Sequence, residues 1–372
     1  MSDRSAPPLN ALNAGARALI ARAAAADARA RVALATAIDD AFLSPDGRLD
    51  DRTRVALGAL IEAMVGTIEG ELTEHAVRLL ATRGEGALAD LLTREGRPVV
   101  DRLAGAGLLR DGDFAAECVA RVRLELLTAA LPFATAVDSD APSLLARLAQ
   151  SSDRVVAAAA ASVMIGESHR RGVGESGTLA GTGLPRVLHE RLLWWVAAAL
   201  RERVASEAGA GLAALDRAIA EAALRNLAAQ DEGDRLESAA MRLADAVDAQ
   251  PNELPALVDE ILRDRRLSVL VAFLAHALGV PYELARELVV DPAGDRLWLA
   301  LRALDMPRDV IARVGFQLSE ADPRRDVEAF ADALDVVASV DAETAKLSIA
   351  PLKLHPDYRA ALLALDAAQV RA

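Results

Sequence analysis

Residues able to do chemistry are sparse in this chain. Gly172-Val173-Gly174-Glu175-Ser176-Gly177 spells G-x-G-x-x-G. In dinucleotide-binding proteins that spacing works between a strand and a helix N-terminus, where backbone N–H groups meet a pyrophosphate. Here it follows a helical stretch, more Gly and Thr come after it, and no Lys completes a P-loop. The segment therefore reads as a glycine-rich surface loop. The histidines are His75, His169, His189, His276 and His355. None has a Glu three residues before it, and H-E-x-x-H does not occur, so no metal pattern forms. A single cysteine, Cys118, excludes C-x-x-C and any intrachain disulfide. Its apolar helical setting reads as a buried small hydrophobe. No catalytic, cofactor-binding or metal-binding residue is assigned.

Five residues are candidates for an interaction instead. His189 is followed by Glu190 and Arg191. A helical His beside an acid is similar to the phosphoacceptor helix of histidine phosphotransfer domains, where the acid assists proton movement. The alternative is an ordinary histidine near a helix start. Arg170 and Arg171 form a small basic spot, read as a solvated helix end that offsets the C-terminal dipole or receives a phosphate or acidic partner. Trp194 and Trp195 are adjacent in a chain with one other tryptophan, Trp298. Neighbouring helical side chains diverge by about 100°. Both rings are buried if the helix is wedged between layers; otherwise Trp194 is an exposed anchor of the kind enriched at binding hot spots.

The elements that position these residues read as helices. The 372 residues are 53% hydrophobic, 26% charged and only 3% aromatic. Ala and Leu dominate the apolar content and favour helix, while the scarcity of aromatics leaves a β-sandwich little to pack. Lys plus Arg is 42 against 55 Asp plus Glu, a net charge of −13, which disfavours a nucleic-acid grip. Met1–Pro8 has no apolar signal core, and the uncharged run Val155–Gly166 is too short to span a bilayer, so a cytoplasmic protein is expected.

Along the chain, 1–45 reads as an Ala-rich helical segment, 46–170 as an N-terminal helical array, 171–184 as the glycine loop, 185–340 as helical-pair repeats, and 341–372 as an extension with a terminal helix. Asp50 is an expected N-cap for a helix over 51–82. Pro255, Pro281 and Pro307 recur every 26 residues. Each is preceded by an apolar residue and followed by apolar residues at +3 and +7, on one helix face. Second helices are expected over 266–279, 294–304 and 324–339. Residues 347–356 are expected to be non-helical. This period predicts an all-α, HEAT-like α-solenoid.

Two stretches carry a family resemblance: Leu184 to Arg201, and Leu267 to Val314 with Asp291-Pro292-Ala293-Gly294-Asp295 and Arg302 to Pro307. They resemble the bacterial all-helical domain-of-unknown-function family 2336. The resemblance implies HEAT-like repeats and brings no catalytic residues. The expected function is a non-enzymatic protein–protein interaction or scaffold role in bacterial signalling or regulation. Its protein partners would carry basic patches, with no membrane involved and nucleic acid disfavoured by the acidic charge. The alternatives are histidine phosphotransfer through His189, or a helical-repeat DNA-binding protein.

Overall fold

A computed structural model of the chain describes residues 49–94, 96–132, 142–171, 179–355, 357–359, 361–362 and 365. The expected helix within 1–45, the G-x-G-x-x-G letters and most of the terminal helix lie outside them. The chain divides into two compact units, Met1–Arg54 and Val55–Ala372. In the first, the described residues are 49–54. There Asp50 caps the opening helix as expected, its carboxylate accepting from Thr53 N at 2.8 Å and Thr53 Oγ1 at 2.7 Å.

Among the described residues every regular element is helical. The first eight α-helices are α1 Asp51–Thr82, α2 Gly86–Thr93, α3 Val99–Gly105, α4 Gly112–Ala130, α5 Leu144–Leu148, α6 Arg154–Arg171, α7 Arg186–Ala208 and α8 Leu212–Ala229. They are followed by α9 Leu236–Val247, α10 Leu254–Arg263, α11 Leu267–Leu278, α12 Tyr282–Val290, α13 Asp295–Ala303, α14 Arg308–Ala321, α15 Val327–Ser339 and α16 Ala342–Ile349. Among the described residues no single helix is long and apolar enough to cross a membrane.

The proline period marks real hairpins. Pro255 lies in the first turn of α10, and Pro281 and Pro307 sit at the N-caps of α12 and α14. Their fixed φ suits a helix start, and their missing N–H removes a donor that would have no intrahelical partner. Each opens a helix pair: α10–α11, α12–α13 and α14–α15. Contacts also run beyond chain neighbours. The first helix of the first pair, α10, packs on α14, the first helix of the third, and α4 packs on α11, α12 and α14. Residues 347–353, expected to be irregular, are helical: α16 runs to Ile349 and a 3-10 turn continues through Lys353. Asp341 caps α16, and Pro351 falls in the first turn of the 3-10 segment, where proline is tolerated.

The Val55–Ala372 unit holds two apolar cores. One gathers α1, α2, α3, the start of α4 (Phe114, Cys118), Leu179, Leu184, α7 and α8. The other gathers the end of α4 (Leu124, Leu127), α5, α6 and α9 to α16. Each core draws on both sides of residues 171–184, and α4 contributes to both. Where aromatics occur they group: Phe330 lies against Trp298 with ring centroids 4.6 Å apart, and against Phe316 at 5.6 Å.

Candidate functional site: the cleft beside His189

Between α6 and α7 the chain crosses from one core to the other, and residues 179–184 form an irregular strap. Its buried residues, Leu179, Thr182 and Leu184, need partners for their polar backbone, and side chains from α1, α4 and the two ends of the α8–α9 linker supply them. From α1, Thr67 Oγ1 accepts from Leu179 N at 2.9 Å. Arg121 of α4 donates to Thr182 O at 2.7 Å, and Arg235, at the start of α9, donates to Gly183 O at 3.3 Å. Gln230, after α8, donates to Leu184 O at 3.3 Å. Thr182 Oγ1 lies 2.8 Å from His189 Nδ1 of α7, and His189 Nε2 lies 2.7 Å from Asn226 Oδ1 of α8. Asn226 Nδ2 donates in turn to Glu71 of α1. Gly183 adopts φ +66°, and a Cβ there would sit 3.1 Å from Arg121 Nη1. Glycine is therefore favoured here on both conformational and steric grounds.

Apart from Thr67 and Leu179, these residues line a cleft of about 270 Å³. Its floor holds three guanidiniums, each nearly buried and each paired. Arg121 donates to Glu125 at 2.9 Å, Arg170 pairs with Glu237 and lies 3.6 Å from Glu125, and Arg235 pairs with Glu232 at 2.7 Å. Although burial opposes the charged form, Arg170 and Arg235 hold the Glu237 carboxyl down at about 2. Burial lowers the Arg121 pKa, and the neighbouring Arg170 charge lowers it further. The rim carries Glu71, Asp231 and Asp234. Burial raises the Glu71 pKa, partly offset by the Asn226 hydrogen bond. Burial lowers the His189 pKa, the Asn226 bond opposes this, and Arg186 adds to it. Among the described residues no group of three or more His, Cys, Asp or Glu could hold a metal ion. Burial pushes the Cys118 thiol up to about 12, which leaves it unreactive.

The structure brings Arg170 and His189 together in this cleft and places Arg191 and Trp194 outside it. Arg170 is no free basic spot, because Glu237 and Glu125 neutralise it; the side chain of Arg171 lies outside the described residues. His189 is buried with both ring nitrogens engaged, so a phosphoryl donor would reach neither without breaking a hydrogen bond. On the outer side of α7, Arg191 donates to Asp111 at 2.5 Å and to Asp113 at 3.3 Å. Trp194 is 38% exposed, whereas Trp195 is partly buried and meets Phe114 edge-on at 5.9 Å. The pair thus divides between surface and core. Thr182, Asn226, Glu71, Arg121, Arg235 and Glu237 were not marked by any motif, since each has a partner in the cleft on a different element.

No curated protein and no solved structure matches the chain. The model of one family, described as uncharacterised protein conserved in bacteria, matches residues 133–350, a span covering α5 to α16 and both the strap and the proline-period hairpins. By that match over more than half its length, the all-helical chain belongs to the bacterial family DUF2336.

Proposed function

We propose that this protein is a non-enzymatic interaction protein of bacterial regulation, acting in the cytoplasm, built with HEAT-like hairpins and carrying a partner-binding face on the outer side of α7. The observation that carries the reading is the exposure of Trp194 together with Val187, which is 67% exposed. They stand seven residues apart on one helix face. Arg191 lies between them, held by Asp111 and Asp113, and Trp195 anchors the same helix to the core through Phe114. A large aromatic on a fixed platform beside an immobilised arginine has the composition of a binding hot spot. The net charge of −13 favours partners with basic surfaces. The recurrence of proline-initiated helix pairs is the basis for the HEAT-like description.

The test is affinity capture of the tagged full chain from its own cells, followed by titration of a captured partner against wild type and Trp194→Ala. Loss of about 2 kcal/mol or more, roughly thirtyfold in affinity, is expected. A partner bound equally by wild type, Trp194→Ala and Val187→Asp would remove α7 as the contact face.

A further inference from the structure

Helix α6 presents an apolar face of a different kind. Its inner side fills the core with Val156, Ala159, Ala160 and Val163. Its outer side exposes Val155 at 67% and Ile165 at 56%. Ala158 and Ala161 are exposed between them, with Ser162 half-buried beside them. From Val155 to Gly166 the helix carries no charge, and the acid that follows, Glu167, is turned inward onto Arg266. The face is about 18 Å long at 1.5 Å per residue.

We infer that two copies of this chain pair through α6, antiparallel about a two-fold axis near residue 160. Two features of the face argue for a second copy as its occupant. The first is size symmetry. Antiparallel pairing about residue 160 sets Val155 against Ile165 of the other copy and Ala158 against Ser162. Large side chains then flank small ones at the crossing, where small residues let two helices approach closely, and the same patch serves both subunits as a two-fold contact requires. The second is charge. Copies of a chain of net charge −13 repel, and this outer face lets them meet without opposing carboxylates. One helix pair of this length buries less than the roughly 800 Å² per partner of a standard stable interface. The dimer is therefore weak and concentration-dependent. The inference is independent of the α7 reading, since it uses none of that helix's residues.

Sedimentation velocity on the full chain, from low micromolar to near-millimolar concentration, tests it. The expected result is a reversible shift from monomer to dimer, with Ala158→Arg raising the dissociation constant about tenfold or more and Leu347→Arg, at another exposed apolar position, leaving it unchanged. The double variant Ala158→Cys, Ser162→Cys is expected to form an interchain disulfide under mild oxidation, without competition from the buried Cys118 thiol. A monomer throughout, or dimerisation undiminished by Ala158→Arg in a variant with native circular dichroism, would overturn the inference. So would a dimer that the double-cysteine variant fails to lock.

Discussion

His189 carries its proton on Nε2. The Glu71 carboxylate can only accept, so the Asn226 amide turns its Nδ2 toward Glu71 and its Oδ1 toward the ring. Nε2 must then donate, and Nδ1 accepts from the Thr182 hydroxyl. Protonating Nδ1 would leave that hydroxyl facing another donor and place a charge in a buried site near Arg186. Because burial lowers the folded-state pKa of His189, the folded chain binds fewer protons here than the unfolded chain. This contribution to stability is present above the ordinary imidazole value of about 6.5 and is lost as pH falls through and below it. Glu71 works in the opposite sense, since its raised pKa makes folding gain from acid in the carboxylate range. Urea midpoints for wild type and His189→Gln separate the two. The variant keeps a donor and an acceptor but does not titrate, and it is expected to lose less stability on acidification. Parallel pH profiles would mean that the imidazole has no such role.

Among the helices, glycine shows how packing overrides propensity. Gly70 is exposed on α1 with nothing within 4 Å of a built Cβ. Gly70→Ala is therefore expected to stabilise by about 0.5–1 kcal/mol, the intrinsic penalty of glycine in a helix. Gly315 on α14 is the reverse case: a Cβ there would stand 2.0 Å from the Phe330 ring of α15. Trp298 and Phe316 hold that ring from other sides, so it cannot retreat. Gly315→Ala is expected to destabilise by about 1–3 kcal/mol through overpacking, despite alanine's better helix propensity. Thermal denaturation of the two variants should move in opposite directions. A Gly315→Ala protein as stable as wild type would show that α14 and α15 can separate without penalty.

On the scale of the molecule, buried ion pairs lie where the two cores meet along α4. Between Phe114 and Cys118 the helix turns Glu117 toward α12, where Arg286 grips it through two bonds of 3.0 and 2.5 Å. Both side chains are buried. Taking one partner away strands the other charge in a medium that solvates it poorly, so Glu117→Gln is expected to destabilise by about 3–5 kcal/mol. Replacing both, as in Glu117→Leu with Arg286→Met, should recover most of that loss, because well-packed apolar pairs often match a buried ion pair. Chemical denaturation of the two singles and the double completes a mutant cycle. A Glu117→Gln change within about 1 kcal/mol of wild type would mean that water reaches the pair.

The local signals in the sequence were enough for the helices. Asp50, Ser143, Asp326 and Asp341 are N-caps with side-chain bonds in place, the proline period placed three hairpins, and the Ala- and Leu-rich composition pointed to helix. These features act within a few residues of one another, so one-dimensional spacing carries them. Residues 347–353 defeated that logic: a break was expected over 347–356, yet Pro351 occupies the turn of a short helix that tolerates it. The cleft was only half legible. Arg170 and His189 stood out by type, but their meaning came from Glu237, Thr182 and Asn226, which no spacing connects to them. Tertiary structure alone decided that Arg170 is neutralised, that His189 is buried and neutral, and that Trp194 faces solvent while Trp195 meets Phe114. Charge pairing, burial and exposure depend on which distant elements come to lie side by side, and helical periodicity specifies a face without specifying what covers it.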